Sequence, residues 1–118
     1  MKTDETEKVC EWCNECHPDS CSIETTVDFV GKKFSLLILR DLFKEKKPVR
    51  FNAFLKSIKR ITPKTLSMRL KELEKSGLLK KTIFPEVPLR VEYSLTKKGK
   101  ALGPILEALS DWGKKNAE

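Results

Sequence analysis

Apolar residues recur at helical spacing between Thr25 and Phe43, where Val27, Val30, Phe34, Leu37, Ile38 and Leu42 mark one face. Leu36 and Leu39 make the second half apolar nearly all round, which predicts a helix in a core or between subunits. Gly31 is the natural point of interruption. A charged turn, Lys44 to Lys47, ends at Pro48. Val49-Arg50-Phe51 then reads as a short strand before a second helix, Asn52 to Ile58, with Phe54, Leu55 and Ile58 pointing inward.

The next boundary is the best marked. Thr62 is a good N-cap, Pro63 suits the first helical position, and Ile61 can staple against Leu66. The predicted helix runs from Pro63 to Ser76 and stops at Gly77. Leu66, Leu70 and Leu73 form its inner stripe, and Lys64, Thr65, Ser67, Met68, Arg69 and Lys71 lie on the opposite face.

Leu78 to Phe84 and Arg90 to Leu95 read as two strands, the second alternating Val91, Tyr93 and Leu95 with polar residues. The connection Pro85-Glu86-Val87-Pro88-Leu89 has the two prolines of a stiff hairpin tip. Thr96 can cap a last helix, Lys97 to about Lys115, with Leu102, Ile105, Leu106, Leu109 and Trp112 along one stripe. Pro104 inside it predicts a kink. Helix, short helix, turn at Lys59-Arg60-Ile61, capped basic helix and hairpin is the order of a winged helix-turn-helix. The fold expected is therefore mainly α with a small β-hairpin wing.

Charge sharpens this picture. The 118 residues carry a net +7, unevenly spread. Residues 1–24 hold two lysines against seven acids, a net of −5, and the remainder holds 22 bases against ten acids, a net of +12. A body that basic attracts a polyanion, and nucleic acid is the usual one; the competing reading is a lysine-rich solvated surface. Residues 2–20 contain no apolar run, so neither a signal peptide nor a membrane helix is predicted, and the expected location is the cytoplasm.

The leader also concentrates the thiols. Cys10, Cys13, Cys16 and Cys21 stand with His17 in Cys-x2-Cys-x2-Cys-His-x3-Cys. Three chemistries fit such spacing. Zinc takes four N or S ligands, supplied by the four thiolates or by three thiolates with His17 as the spare ligand. An iron–sulfur cluster fits less well, because ferredoxin spacing places x3 before a final Cys-Pro, whereas here x4 precedes Cys21 and Ser22 follows it. A thiol switch, in which oxidation pairs two of these cysteines, needs no cofactor. Inert filler suits them poorly, since nothing apolar surrounds them.

The chain from Cys21 to Gly113 resembles the HxlR family of winged-helix regulators, relatives of the MarR group. Gly31-Lys32-Lys33-Phe34-Ser35-Leu36-Leu37-Ile38-Leu39-Arg40, Arg50-Phe51-Asn52-Ala53-Phe54 and Leu66-Ser67-Met68-Arg69-Leu70-Lys71-Glu72-Leu73-Glu74 carry the likeness. The wing Pro85-Glu86-Val87-Pro88-Leu89-Arg90-Val91-Glu92-Tyr93-Ser94-Leu95-Thr96 is its most specific part, and Trp112-Gly113 closes it. The resemblance implies a symmetric dimer held by the first and last helices, here Leu102, Ile105, Leu106, Leu109 and Trp112, with each recognition helix in a major groove. It also implies that Cys21 matches a cysteine used as a redox sensor in some members. Phe34, Lys32 and Ser22 depart from the family's usual Trp, Gly and Pro, whereas Cys10, Cys13 and Cys16 lie outside its pattern.

The expected function is thus a sequence-specific regulator that binds operator DNA as a homodimer and senses redox state or metal through its cysteines. Lys64, Thr65, Ser67 and Met68 reach base edges in this reading, and Arg69 chelates a guanine or holds a phosphate. Lys71 lies on the same face. Arg90 enters the adjacent minor groove, or else pairs across the strands with a glutamate. Lys56, Lys59, Arg60, Lys80 and Lys81 contact phosphates. The alternative is a metal-binding interaction module whose winged helix docks protein. No catalytic serine or carboxylate set, and no phosphate loop, is present, so an enzyme is not expected; a thiol-disulfide enzyme would need a thioredoxin-like sheet that the pattern lacks.

Overall fold

The computed structural model describes residues 22–117. The chain divides into two compact units after Lys32; the division expected from the sequence sets an acidic, cysteine-rich extension, residues 1–21, before a winged-helix DNA-binding and dimerisation domain, residues 22–118. In the first unit, α1 (Ser22–Val30) has the Thr26 hydroxyl donating to the Ser22 carbonyl at 2.9 Å. Ile23 and Val27 on this helix are about half exposed, at 48% and 53%.

The second unit opens with α2 (Ser35–Glu45). The stretch expected to be helical from Thr25 to Phe43, with an interruption at Gly31, is broken there: α1 ends at Val30, and α2 begins only after Phe34, whose left-handed backbone, φ 76°, no α-helix can pass through. Lys46, also left-handed, ends α2 with its amide on the Leu42 carbonyl at 3.2 Å. Ile38, Leu39 and Leu42 are buried, while Leu37 is exposed. The short strand β1 (Val49–Arg50) stops one residue early, for Phe51 already begins α3 (Phe51–Ser57).

The helix α4 (Pro63–Lys75) has both of the ends that its sequence predicts. The Thr62 Oγ1 accepts from the Thr65 amide at 3.1 Å. At the other end the Leu78 amide reaches the Leu73 carbonyl and the Gly77 amide the Glu74 carbonyl, both at 3.0 Å. That pair of bonds needs a left-handed residue between them, and Gly77 supplies it with φ 83°. Leu73 and Leu78, the residues that such a stop brings together, are both buried.

Strands β2 (Leu79–Phe84) and β3 (Arg90–Leu95) form the hairpin, and β1 joins it, giving an antiparallel sheet in the order β1-β3-β2. Val49 faces Tyr93, Leu79 faces Leu95 and Phe84 faces Arg90. The wing is thus three-stranded, tied to the helical core through β1. Phe54, fully buried, meets the Tyr93 ring edge-on at 6.2 Å.

The expected kinked last helix is instead two helices, α5 (Lys97–Lys100) and α6 (Gly103–Asn116). Pro104 lies in the first turn of α6, where its missing N–H costs nothing, rather than in a helix interior. Thr96 caps α5 by accepting from the Gly99 amide at 3.1 Å and donates to the Gly77 carbonyl at 2.5 Å. Gly99 is required there, because a Cβ would run into the Leu78 carbonyl. Together these elements form a winged helix-turn-helix.

Burial, and then the negative charge of Glu74, raise the Tyr93 hydroxyl above its ordinary 10.0. The folded chain therefore keeps this proton longer than the unfolded one. Its contribution to stability is whole below the unfolded value and lost as pH rises through the folded value. Urea titrations between about pH 9 and 11 should show stability falling less steeply in Tyr93→Phe than in the parent; parallel curves would exclude the effect.

Candidate nucleic-acid interface

The helix-turn-helix consists of α3, a turn and α4. Within the turn Arg60 is left-handed, φ 72°, and reverses the chain so that Ile61 is buried and Thr62 meets the start of α4. Burial of Leu66, Leu70 and Leu73 settles the outer face. Lys64, Ser67, Met68 and Lys71 are exposed there, Met68 at 43%. Thr65 is half-buried, its hydroxyl oxygen accepting from the Thr62 hydroxyl at 3.1 Å, which leaves its own proton for a partner. The first turn of α4 carries no acid. Positive charge on the Lys64 ammonium thus adds to the positive end of the helix dipole.

Lys56, Lys59 and Arg60 are exposed beside this face. Their side chains form no hydrogen bond or ion pair with other described residues, and neither do Lys64 and Lys71.

The two arginines singled out as DNA readers are both engaged within the chain. Arg69 Nε donates to the Lys33 carbonyl at 2.9 Å, and Nη1 pairs with Glu72 at 3.1 Å; the side chain is 16% exposed. It holds the peptide that leads into left-handed Phe34, whose ring lies 5.1 Å from the Lys33 ammonium. Arg69 therefore braces α4 against the start of α2 and does not present an open fork to a guanine. Arg90 stacks 3.8 Å over the Phe84 ring, with Nη2 on Glu86 at 2.9 Å and Nη1 on Glu92 at 3.0 Å. A glutamate pair was the alternative foreseen for it, but the partners are in the connection and on its own strand, not across the hairpin. Its Nε is buried without a hydrogen-bond partner among the described residues.

Lys80 pairs in register with Ser94 and Lys81 with Tyr93, so the two lysines point to opposite sheet faces. They cannot act as one basic patch. Sequence reading missed Arg40, which donates through Nε and Nη2 to Asp41 and, at 3.4 Å, to Ser57 on α3. No sequence signal marks that link, since it spans two helices.

Along α6, Ile105, Leu109 and Trp112 are exposed at 47%, 49% and 65%, Leu102 and Leu106 are half-buried, and no residue is fully buried. Cys10, Cys13, Cys16, His17 and Cys21 lie outside the described residues. Among the described residues no group of three or more His, Cys, Asp or Glu could hold a metal, and no helix is long and apolar enough to cross a membrane.

A family model described as HxlR-like helix-turn-helix matches residues 29–118, a span that begins after Cys21. An uncharacterized HTH-type transcriptional regulator of Methanothermobacter thermautotrophicus is 48% identical over 94 residues, covering 80% of this chain and 70% of that protein. The regulator YdeP of Bacillus subtilis is 40% identical over 97 residues, 82% of this chain and 74% of its own. Among solved structures, the redox regulator HypR in its oxidized form superposes with a TM-score of 0.77 at 34% identity, covering 83% of this chain and 99% of that one. Its reduced form gives 0.78 at 33% identity, with 83% and 95% covered.

Removing the Arg69 brace should lower stability rather than shift base preference. Arg69→Ala is expected to cost about 1–3 kcal/mol in urea unfolding, the worth of charged hydrogen bonds. Unchanged stability with relaxed preference at one base pair would restore a base-reading role.

Proposed function

The chain belongs to the HxlR-like helix-turn-helix family, whose curated relatives are transcriptional regulators, and on that premise we propose that it binds operator DNA as a homodimer under the control of its N-terminal thiols. The observation that carries the reading is the outer face of α4: capped at Thr62, free of acids in its first turn, and lined by exposed Lys64, Ser67, Met68 and Lys71. In a major groove, Lys64, Thr65 and Ser67 supply donors to base edges, and Met68 gives apolar contact for a thymine methyl. Lys56, Lys59, Arg60 and Lys81 hold phosphates, which position without specifying. Arg69 and Arg90 act as positioning residues, the first for α4 and the second for the wing.

The dimer follows from the uncovered stripe of α6. A helix of this length draws its stability from packing, yet α6 buries no residue within the single chain. A second copy covers Ile105, Leu109 and Trp112, with Ile23 and Val27 on α1 as the other apolar face available to it.

For the cysteines, the likeness to HypR, a protein known in oxidized and reduced forms, favours a thiol switch over a zinc or iron–sulfur centre. Oxidation joins two thiols into a disulfide, with an oxidant taking two electrons and two protons. Cys21 is the thiol assigned to sensing, with Cys10, Cys13 or Cys16 as its resolving partner.

Duplex affinity should fall steeply with salt, and Lys59→Ala should reduce the slope of log K against log salt by about one. A salt-independent complex would favour a protein-docking module instead. Sedimentation should give a dimer that Leu109→Glu converts to a monomer; a monomeric parent would remove the dimer. Diamide should change duplex affinity in the parent and leave Cys21→Ser unaffected, whereas stoichiometric zinc or iron in anaerobically purified protein would assign the cluster to metal.

A further inference from the structure

A cavity of about 570 Å³ opens where the end of α2, the entry to β1, the wing strands and α5 meet. Lys46, Lys47, Lys80 and Lys100 surround it, and no carboxylate lines it. Leu42, Phe43, Pro48 and Leu95 give it apolar lining, and Ser94 adds a hydroxyl. The volume lies within the range of small-molecule sites, and an apolar lining with a few convergent polar groups is their usual make-up.

We propose that this cavity binds a small organic anion, a carboxylate head on an apolar body. Four ammonium groups around one cleft repel one another until a counter-charge enters, so the charge pattern selects an anion. The carbonyl end of α2 contributes only a fractional negative charge against them. The apolar lining selects a ligand with hydrophobic bulk, because inorganic phosphate or sulfate would leave half-buried Phe43 and Leu95 uncovered. The frame is rigid where it matters: Lys46 is fixed as the left-handed cap of α2, and Lys80 by its pairing with Ser94.

A duplex backbone is the other polyanion to weigh, and two observations argue against it. None of the lining residues belongs to α4, which carries the proposed DNA face. The site is also concave with apolar lining, and phosphates gain nothing from such a surface. Phe43 adds a consequence, since its ring edge lies 3.2 Å from where a Cβ on Gly103 would stand. A ligand on that ring therefore touches the support of α6; this consequence rests on the dimer reading, whereas binding itself does not.

The test is calorimetry on the full chain without DNA, using 2-naphthoate as the probe and naphthalene-2-carboxamide as its neutral counterpart. One naphthoate should bind per chain, more weakly as salt rises, and the carboxamide should not bind detectably. The double variant Lys46→Gln, Lys100→Gln should weaken naphthoate about tenfold, and Ser94→Phe, which fills the cleft, should abolish binding. Equal affinity for the carboxamide, or unchanged affinity in the double variant, would overturn the proposal. Failure of naphthoate to bind, together with a reduced duplex salt slope in the double variant, would also overturn it and assign these lysines to the DNA backbone.

Discussion

Burial of Leu66, Leu70 and Leu73 is the constraint on which the outer surface of this winged helix depends. Three leucines on one stripe of α4 leave the helix a single way to lie on its core, and that choice turns Lys64, Ser67, Met68 and Lys71 outward. The stripe works because both ends of the helix are fixed. Thr62 sets the start by accepting the Thr65 amide, and the Gly77 turn sets the stop with Leu78 folded under Leu73. Loosening either end would let this outer face rotate, even with every side chain on it still present.

Two of the five arginines serve the fold itself. Arg69 and Arg90, whose planar forks bond several acceptors at once, are drawn inward to carbonyl, carboxylate and ring partners. The exposed charge beside α4 comes from lysines together with Arg60. Arg69 and Arg90 thus brace the two elements that border the candidate interface, α4 and the wing.

Within the second unit the sheet and α6 serve different ends. Strand β1 brings Val49 against Tyr93 and so links the wing to the helical core, while the Phe54 and Tyr93 rings close the gap between them. The helix α6 instead leaves its apolar stripe uncovered. One element completes the core and the other leaves apolar surface open, the surface that the proposed dimer would cover. The lysine-rimmed cleft lies between these two roles, with Phe43 common to its lining and to the support of α6.

Much of this was decided by the sequence alone, wherever the deciding contacts are local. The cap at Thr62, the stop at Gly77, the strand Arg90–Leu95 and the inward leucines all rest on neighbours within one or two turns. The order of those elements is that of a winged helix-turn-helix, and the family's motifs added the regulator class. Tertiary structure decided what depends on distant partners. The Arg69 tether reaches Lys33, thirty-six positions away, and no periodicity shows it. The break foreseen at Gly31 extends through Phe34, whose left-handed backbone its residue type does not announce, and Pro104 starts a helix where a kink was expected. Lys80 and Lys81 look like one basic pair in sequence, but strand alternation sends them to opposite faces. A sequence states which charges a chain carries; only the fold settles which of them the protein's own carboxylates and carbonyls have already taken.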